Sequence, residues 1–85
     1  MREFTYTITD PEGIHARPAG ELVKKAKEFT AAVFIVKDGK KADAKKLFGL
    51  MGLGVKQGME ITVQAEGEDE EAAAAALEAF LHENL

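Results

Sequence analysis

A histidine and an arginine stand two residues apart in Gly13-Ile14-His15-Ala16-Arg17-Pro18-Ala19-Gly20, where an apolar helical pattern begins. Neutral imidazole is a good nucleophile near physiological pH, because its ordinary pKa of about 6.5 leaves a ring lone pair free. His15 could therefore attack phosphorus without a separate general base. The incoming group is anionic, and the first-turn amides and positive dipole end of a helix following His15 would receive it. Ala16 and Pro18 would build that supporting turn, where proline's missing N–H costs nothing and its fixed φ suits the helix start. Arg17 adds a planar, permanently charged donor fork. Gly13 lets the chain turn sharply just before the site.

The setting is small. Eighty-five residues make one domain with room for a single core and no large enclosed active site. There is no cysteine, so disulfides and thiolate chemistry are excluded. No apolar run of membrane length and no signal-like N-terminus is visible, so a soluble cytoplasmic protein with no membrane insertion is expected. The second histidine, His82, has no further ligand at metal spacing, and no metal or cofactor is expected. No nucleotide-binding loop is present either, so a phosphoryl donor would have to arrive as another phosphoprotein.

The net charge of −4 hides an asymmetry. Residues 15–58 hold ten lysines and arginines against four carboxylates, whereas residues 59–85 hold eight carboxylates and no lysine or arginine. A basic segment suits nucleic acid or an acidic protein. Aromatic residues are not interleaved with these lysines, which favours the protein partner over nucleic acid.

The elements that must position His15 follow from periodicity. Phe4, Tyr6 and Ile8 alternate with Thr5 and Thr7 as a half-buried strand, closed by a turn at Asp10-Pro11-Glu12-Gly13. From Ala16 to about Glu28, Ala19, Leu22, Val23 and Ala26 share one helix face and Lys24, Lys25 and Lys27 the rest. Ala32–Val36 reads as a strand, Asp38-Gly39 as a tight hairpin turn, and Lys40–Ala42 as the return strand. Leu47, Leu50 and Met51 give a short helix bounded by Gly52 and Gly54. Met59, Ile61, Val63 and Ala65 alternate as another strand. A last helix has Glu68 to Glu71 at its positive end and Ala73, Ala74, Leu77, Phe80 and Leu81 as its core stripe. This order predicts one α+β domain with helices on one face of a mainly antiparallel sheet.

With that order in hand, the chain resembles the histidine-containing phosphocarrier (HPr) family of the bacterial phosphoenolpyruvate-dependent sugar phosphotransferase system. The resemblance runs end to end. It rests on Gly13–Ala19, on Lys24-Lys25-Ala26-Lys27, on Ala44 to Gly54 and on Ala65 to Glu70. It implies an open-faced β-sandwich of four antiparallel strands and three helices, and a protein phosphorylated by enzyme I that passes the group to IIA components of sugar permeases. It implies a reusable phosphoryl carrier rather than an enzyme, and nothing demands more than a monomer. On the residues alone either ring nitrogen of His15 is available; the resemblance implies Nδ1, with Arg17 as the charge-stabilising neighbour. It also maps a docking surface onto Leu47, Phe48 and Met51, supported by Arg17, Lys24 and Lys27.

Three positions depart from the family's pattern, in two ways. Lys46 stands where a serine is common, so a regulatory phosphorylation there is not expected, and a serine cap worth about 0.5–2 kcal/mol is replaced by a cation at the positive dipole end. Its place beside the apolar patch gives Lys46 a part in docking acidic partners. Gly49 and Gly52 stand where larger residues are frequent, and an interior helix glycine costs about 1 kcal/mol relative to alanine.

The plainer readings are a structural His15 at a helix start, a solvated Arg17, His82 as a surface residue, and lysines that merely face water. The alternative function is a regulatory binding module acting through Leu47, Phe48 and Met51 with little phosphotransfer. An RNA or membrane-surface binder is disfavoured by the acidic total and the lack of bulky aromatics on the basic face.

Overall fold

The alternating N-terminal residues form β1 (Arg2–Thr7) in a computed structural model that describes residues 1–85. There follow α1 (Ala16–Ala26), β2 (Ala32–Lys37), β3 (Lys40–Asp43), α2 (Leu47–Met51), β4 (Glu60–Glu66) and α3 (Glu70–Asn84). The element order is the one expected. α1 stops at Ala26 rather than about Glu28, because Glu28 and Phe29 bond to carbonyls only three residues back, at Lys25 and Ala26, in a tightened last turn. β3 runs on to Asp43, which lies opposite Phe34.

The sheet order is β1-β4-β2-β3, and every neighbouring pair is antiparallel. Val63 of β4 faces Phe4 of β1 on one side and Ile35 of β2 on the other. Because successive strand residues point to opposite faces, Val33, Ile35, Ile61, Val63 and Ala65 all enter the core. Phe34, Val36, Thr62 and Gln64 of the same strands stay half-exposed on the other face. Lys41 covers part of that outer face, its Nζ 4.3 Å from the centroid of the Phe34 ring.

The inner face meets Ala19, Leu22 and Ala26 of α1, Leu50 of α2, and Ala73, Leu77, Phe80 and Leu81 of α3, joined in one apolar cluster. Val23 and Ala74, expected in the same stripes, flank them and are only half-buried. No charged or polar side chain is buried. The core therefore rests on apolar burial, about 1.5–3 kcal/mol for a fully buried leucine.

Two connections set the geometry around the core. Asp38 and Gly39 adopt φ of 50° and 79°, the paired positive values of the two-residue hairpin turn expected there. Asp69 does more than sit near a helix dipole. Its carboxylate accepts the Thr30 N–H at 2.9 Å and the Ala31 N–H at 2.8 Å, tying the α1–β2 connection to the start of α3. Those bonds, Thr30's foremost, hold the Asp69 carboxyl below its ordinary value of 3.8.

Candidate functional site

His15 has extended backbone (φ −105°, ψ −179°), and its carbonyl accepts the Ala19 N–H at 2.9 Å, so it is the N-cap of α1. Its side chain makes no capping bond. The imidazole, 30% exposed, is thus not spent on the helix it begins. Ala16 is exposed in the first turn and Pro18 is buried, and that turn holds no acidic residue.

The loop before His15 is tightly fixed. Gly13 donates its N–H to the Asp10 carbonyl at 2.9 Å, Glu12 its N–H to Asp10 Oδ1 at 2.8 Å, and Ile14 its N–H to the Val55 carbonyl at 3.1 Å. Gly13 has φ +67°, and a Cβ there would collide with the Val55 carbonyl and lie 2.6 Å from Lys56 Cα. Both conformation and space therefore require glycine. The N–H groups of Thr9 and Asp10 donate to the Leu85 carbonyl at 2.6 and 2.9 Å, which pins the loop to the end of α3.

Arg17 makes no hydrogen bond to the His15 ring. Its guanidinium is 65% exposed, and Nη1 lies 3.4 Å from Glu21 Oε1 one turn along α1. Exposed pairs of this spacing are worth only about 0.3–0.5 kcal/mol, so an arriving anion can compete for Arg17. The charged neighbours of the ring are instead Asp10 and Glu12 of the preceding turn. His15 Nε2 is 3.8 Å from Asp10 Oδ2 and 3.7 Å from Glu12 Oε2. The three-residue spacing of Glu12 and His15 was the available signal, but it becomes informative only once Gly13 has reversed the chain. Asp10, Glu12 and His15 place three ligand-type atoms within 4.8 Å of one another, the arrangement nearest to a cation site in this chain.

Lys46 is the N-cap of α2, with no side-chain capping bond, as its chemistry requires. Asp43 orders this start instead, with Oδ1 accepting the Lys45 N–H at 2.8 Å and its carbonyl the Lys46 N–H at 3.0 Å. Leu50 is fully buried, Leu47 half-buried, Met51 38% exposed and Phe48 88% exposed. The apolar set thus divides into an anchor and an exposed patch. Gly52 proves to be the C-cap of α2 rather than an interior residue, which leaves Gly49 alone with the interior-glycine cost. Lys24, Lys27 and Lys46 are exposed, and α1, which carries the first two, packs against α2, which Lys46 begins. Lys45 and Lys37 are tethers: their Nζ atoms donate to the carbonyls of Phe29 at 2.8 Å and Leu53 at 2.7 Å. His82 is exposed as expected, and its ring meets Tyr6 edge-on at 5.0 Å between centroids.

Comparison with known proteins places this geometry in context. A family model described as the PTS HPr component phosphorylation site matches residues 2–83. The phosphocarrier protein HPr of Lysinibacillus sphaericus is 46% identical over 83 residues, which is 98% of this chain and 94% of that protein. The HPr-like protein Crh of Bacillus subtilis strain 168 is 48% identical over 73 residues, 86% of this chain and 86% of Crh. The crystal structure of HPr from Thermoanaerobacter tengcongensis superposes with a TM-score of 0.93 at 43% identity, covering 96% of this chain and 92% of that one. A dimer of HPr from the same organism superposes with a TM-score of 0.78 at 42% identity, covering 98% and 95%.

Proposed function

This chain belongs to the HPr family of phosphocarrier proteins of the phosphotransferase system, and from that premise we propose that it accepts a phosphoryl group from phosphorylated enzyme I on His15 and passes it to IIA components of sugar permeases. The observation that carries the proposal is His15 itself, a part-exposed imidazole at the first turn of α1, free of any capping bond. Loose in-line phosphoryl transfer depends mainly on positioning and charge stabilisation. A shallow histidine lets donor and acceptor approach in turn. The first-turn amide of Ala16 and the exposed Arg17 take up charge, and Pro18 fixes the turn.

Docking is assigned to Phe48, Met51 and Leu47, with Lys24, Lys27 and Lys46 around them. Transient exchange suits such a small apolar patch with a basic rim. The chain acts as a cytoplasmic monomer and is a substrate of the relay rather than a catalyst. No helix is long and apolar enough to cross a membrane.

Incubation with phosphoenolpyruvate and enzyme I is expected to add a single acid-labile phosphoryl group, absent in His15→Ala. Label retained by that variant would refute the site.

The resemblance to Crh supports a second reading, an HPr-like regulatory module working through the exposed α2 surface. On that reading Phe48→Ala abolishes partner binding while His15→Ala leaves binding intact and no transfer is measurable.

A further inference from the structure

We infer that Asp10 and Glu12 are positioning residues that keep the proton of His15 on Nε2 and so direct a phosphoryl group to Nδ1. The biological use of this device rests on the carrier reading; its chemistry rests on the loop.

Nε2 lies 3.8 Å from Asp10 Oδ2 and 3.7 Å from Glu12 Oε2. These separations are too long for direct hydrogen bonds. They are well within the range over which two carboxylate charges act on an N–H group or a ring cation, and one water can bridge them. Asp10 is held in place: Oδ1 accepts the Glu12 N–H, its carbonyl accepts the Gly13 N–H, and its own N–H donates to Leu85, leaving Oδ2 toward the ring. Nδ1 has no such neighbour. It makes no hydrogen bond or ion pair, the first turn of α1 contains no acid, and the nearest cation along that helix, Arg17, is paired with Glu21.

Two effects then act in one direction. A proton on the nitrogen nearest the carboxylates leaves the lone pair on Nδ1, and an anionic phosphoryl group approaching Nε2 would be repelled by Asp10 and Glu12. In transfer, the Nδ1 lone pair forms the N–P bond while the donor's bond to phosphorus breaks and its electron pair leaves with the donor nitrogen. The Nε2 proton stays, and the resulting imidazolium faces the two carboxylates. On release the N–P electron pair returns to Nδ1 and a neutral imidazole departs. Without the Nε2 proton the departing group would be an imidazolate, a far poorer leaving group.

The test uses phosphoramidate, a small donor that needs no enzyme I: Nδ1 attacks phosphorus, the P–N bond breaks and ammonia leaves. Nitrogen and phosphorus NMR of isotope-labelled protein separates the Nδ1 and Nε2 phosphohistidines. The unaltered chain is expected to carry phosphate on Nδ1. Asp10→Asn with Glu12→Gln, which preserves the oxygen that accepts the Glu12 N–H, is expected to raise the Nε2 share at least about fivefold. Glu78→Gln, which removes an exposed carboxylate on α3, is expected to leave the ratio unchanged. An unchanged ratio in the double variant, an Nε2 product in the unaltered chain, or no modification of His15 overturns the inference. A chain that ignores enzyme I yet directs phosphoramidate to Nδ1 refutes the carrier reading and keeps this one.

Discussion

His15 begins a helix without capping it, and that economy gives the residue its chemical freedom. Its pairing in sequence with Arg17 was readable because both sit on one short stretch with a recognisable helix start. The state of Arg17 was not. Its present partner, Glu21, lies one helical turn away, and an exposed pair is decided by small energies that spacing alone does not rank. If Arg17 stabilises the phosphoryl charge, Arg17→Ala slows acceptance from enzyme I by roughly 10- to 100-fold, the worth of a charge-assisted hydrogen bond. The same change shifts stability by no more than about 0.5 kcal/mol, as befits an exposed residue. Rapid-quench kinetics beside thermal unfolding checks both, and matched losses would make the arginine structural. Asp10 and Glu12 were hidden for a different reason: their approach to the ring depends on the positive φ of Gly13, a three-dimensional fact with only a glycine as its trace in the sequence.

At the scale of elements, period and turn chemistry carried most of the fold. The apolar stripes of α1 and α3 and the alternation of β4 are where periodicity put them, because each buries one face against the same core. Ends were less legible, since they are settled by bonds from elsewhere. Asp43 orders the start of α2 in place of Lys46, and Asp69 accepts bonds from residues 38 and 39 positions earlier in the chain. Gly52 closes α2 rather than interrupting it, so the weakness of this helix lies at Gly49. A Cβ at Gly49 would have only Lys46 Cβ nearby, at 4.0 Å. Gly49→Ala is therefore expected to stabilise the protein by about 0.5–1 kcal/mol, read as a raised unfolding midpoint in urea. A lowered midpoint would mean that α2 needs the glycine for packing.

Over the whole molecule, charge is sorted along the chain: the cations of residues 15–58 lie on α1, on the β2–β3 hairpin and at both ends of α2, and the acids of residues 59–85 lie on β4, α3 and their connection. On the proposed docking surface, Lys46 at the start of α2 would steer an acidic partner toward Phe48. Lys46→Glu should weaken association with enzyme I several-fold at low salt, with the difference shrinking as salt screens it; calorimetry showing equal affinity at low salt would remove Lys46 from the docking surface. Acid stability follows from Asp69. Its pKa is lowered in the folded chain, so its contribution is present above the ordinary value of 3.8 and is lost as pH falls through the lower folded value. Asp69→Asn is expected to lower the melting temperature at neutral pH and to flatten its decline in acid, and parallel melting curves against pH would contradict that role. The relay itself is tested most directly by following radiolabelled phosphate from phosphoenolpyruvate through enzyme I to this chain, and then onto an added IIA component. Label that enters only when His15 is present, and leaves the chain as it appears on IIA, is the expected result. Label that enters His15→Ala, or that never reaches IIA, would contradict it.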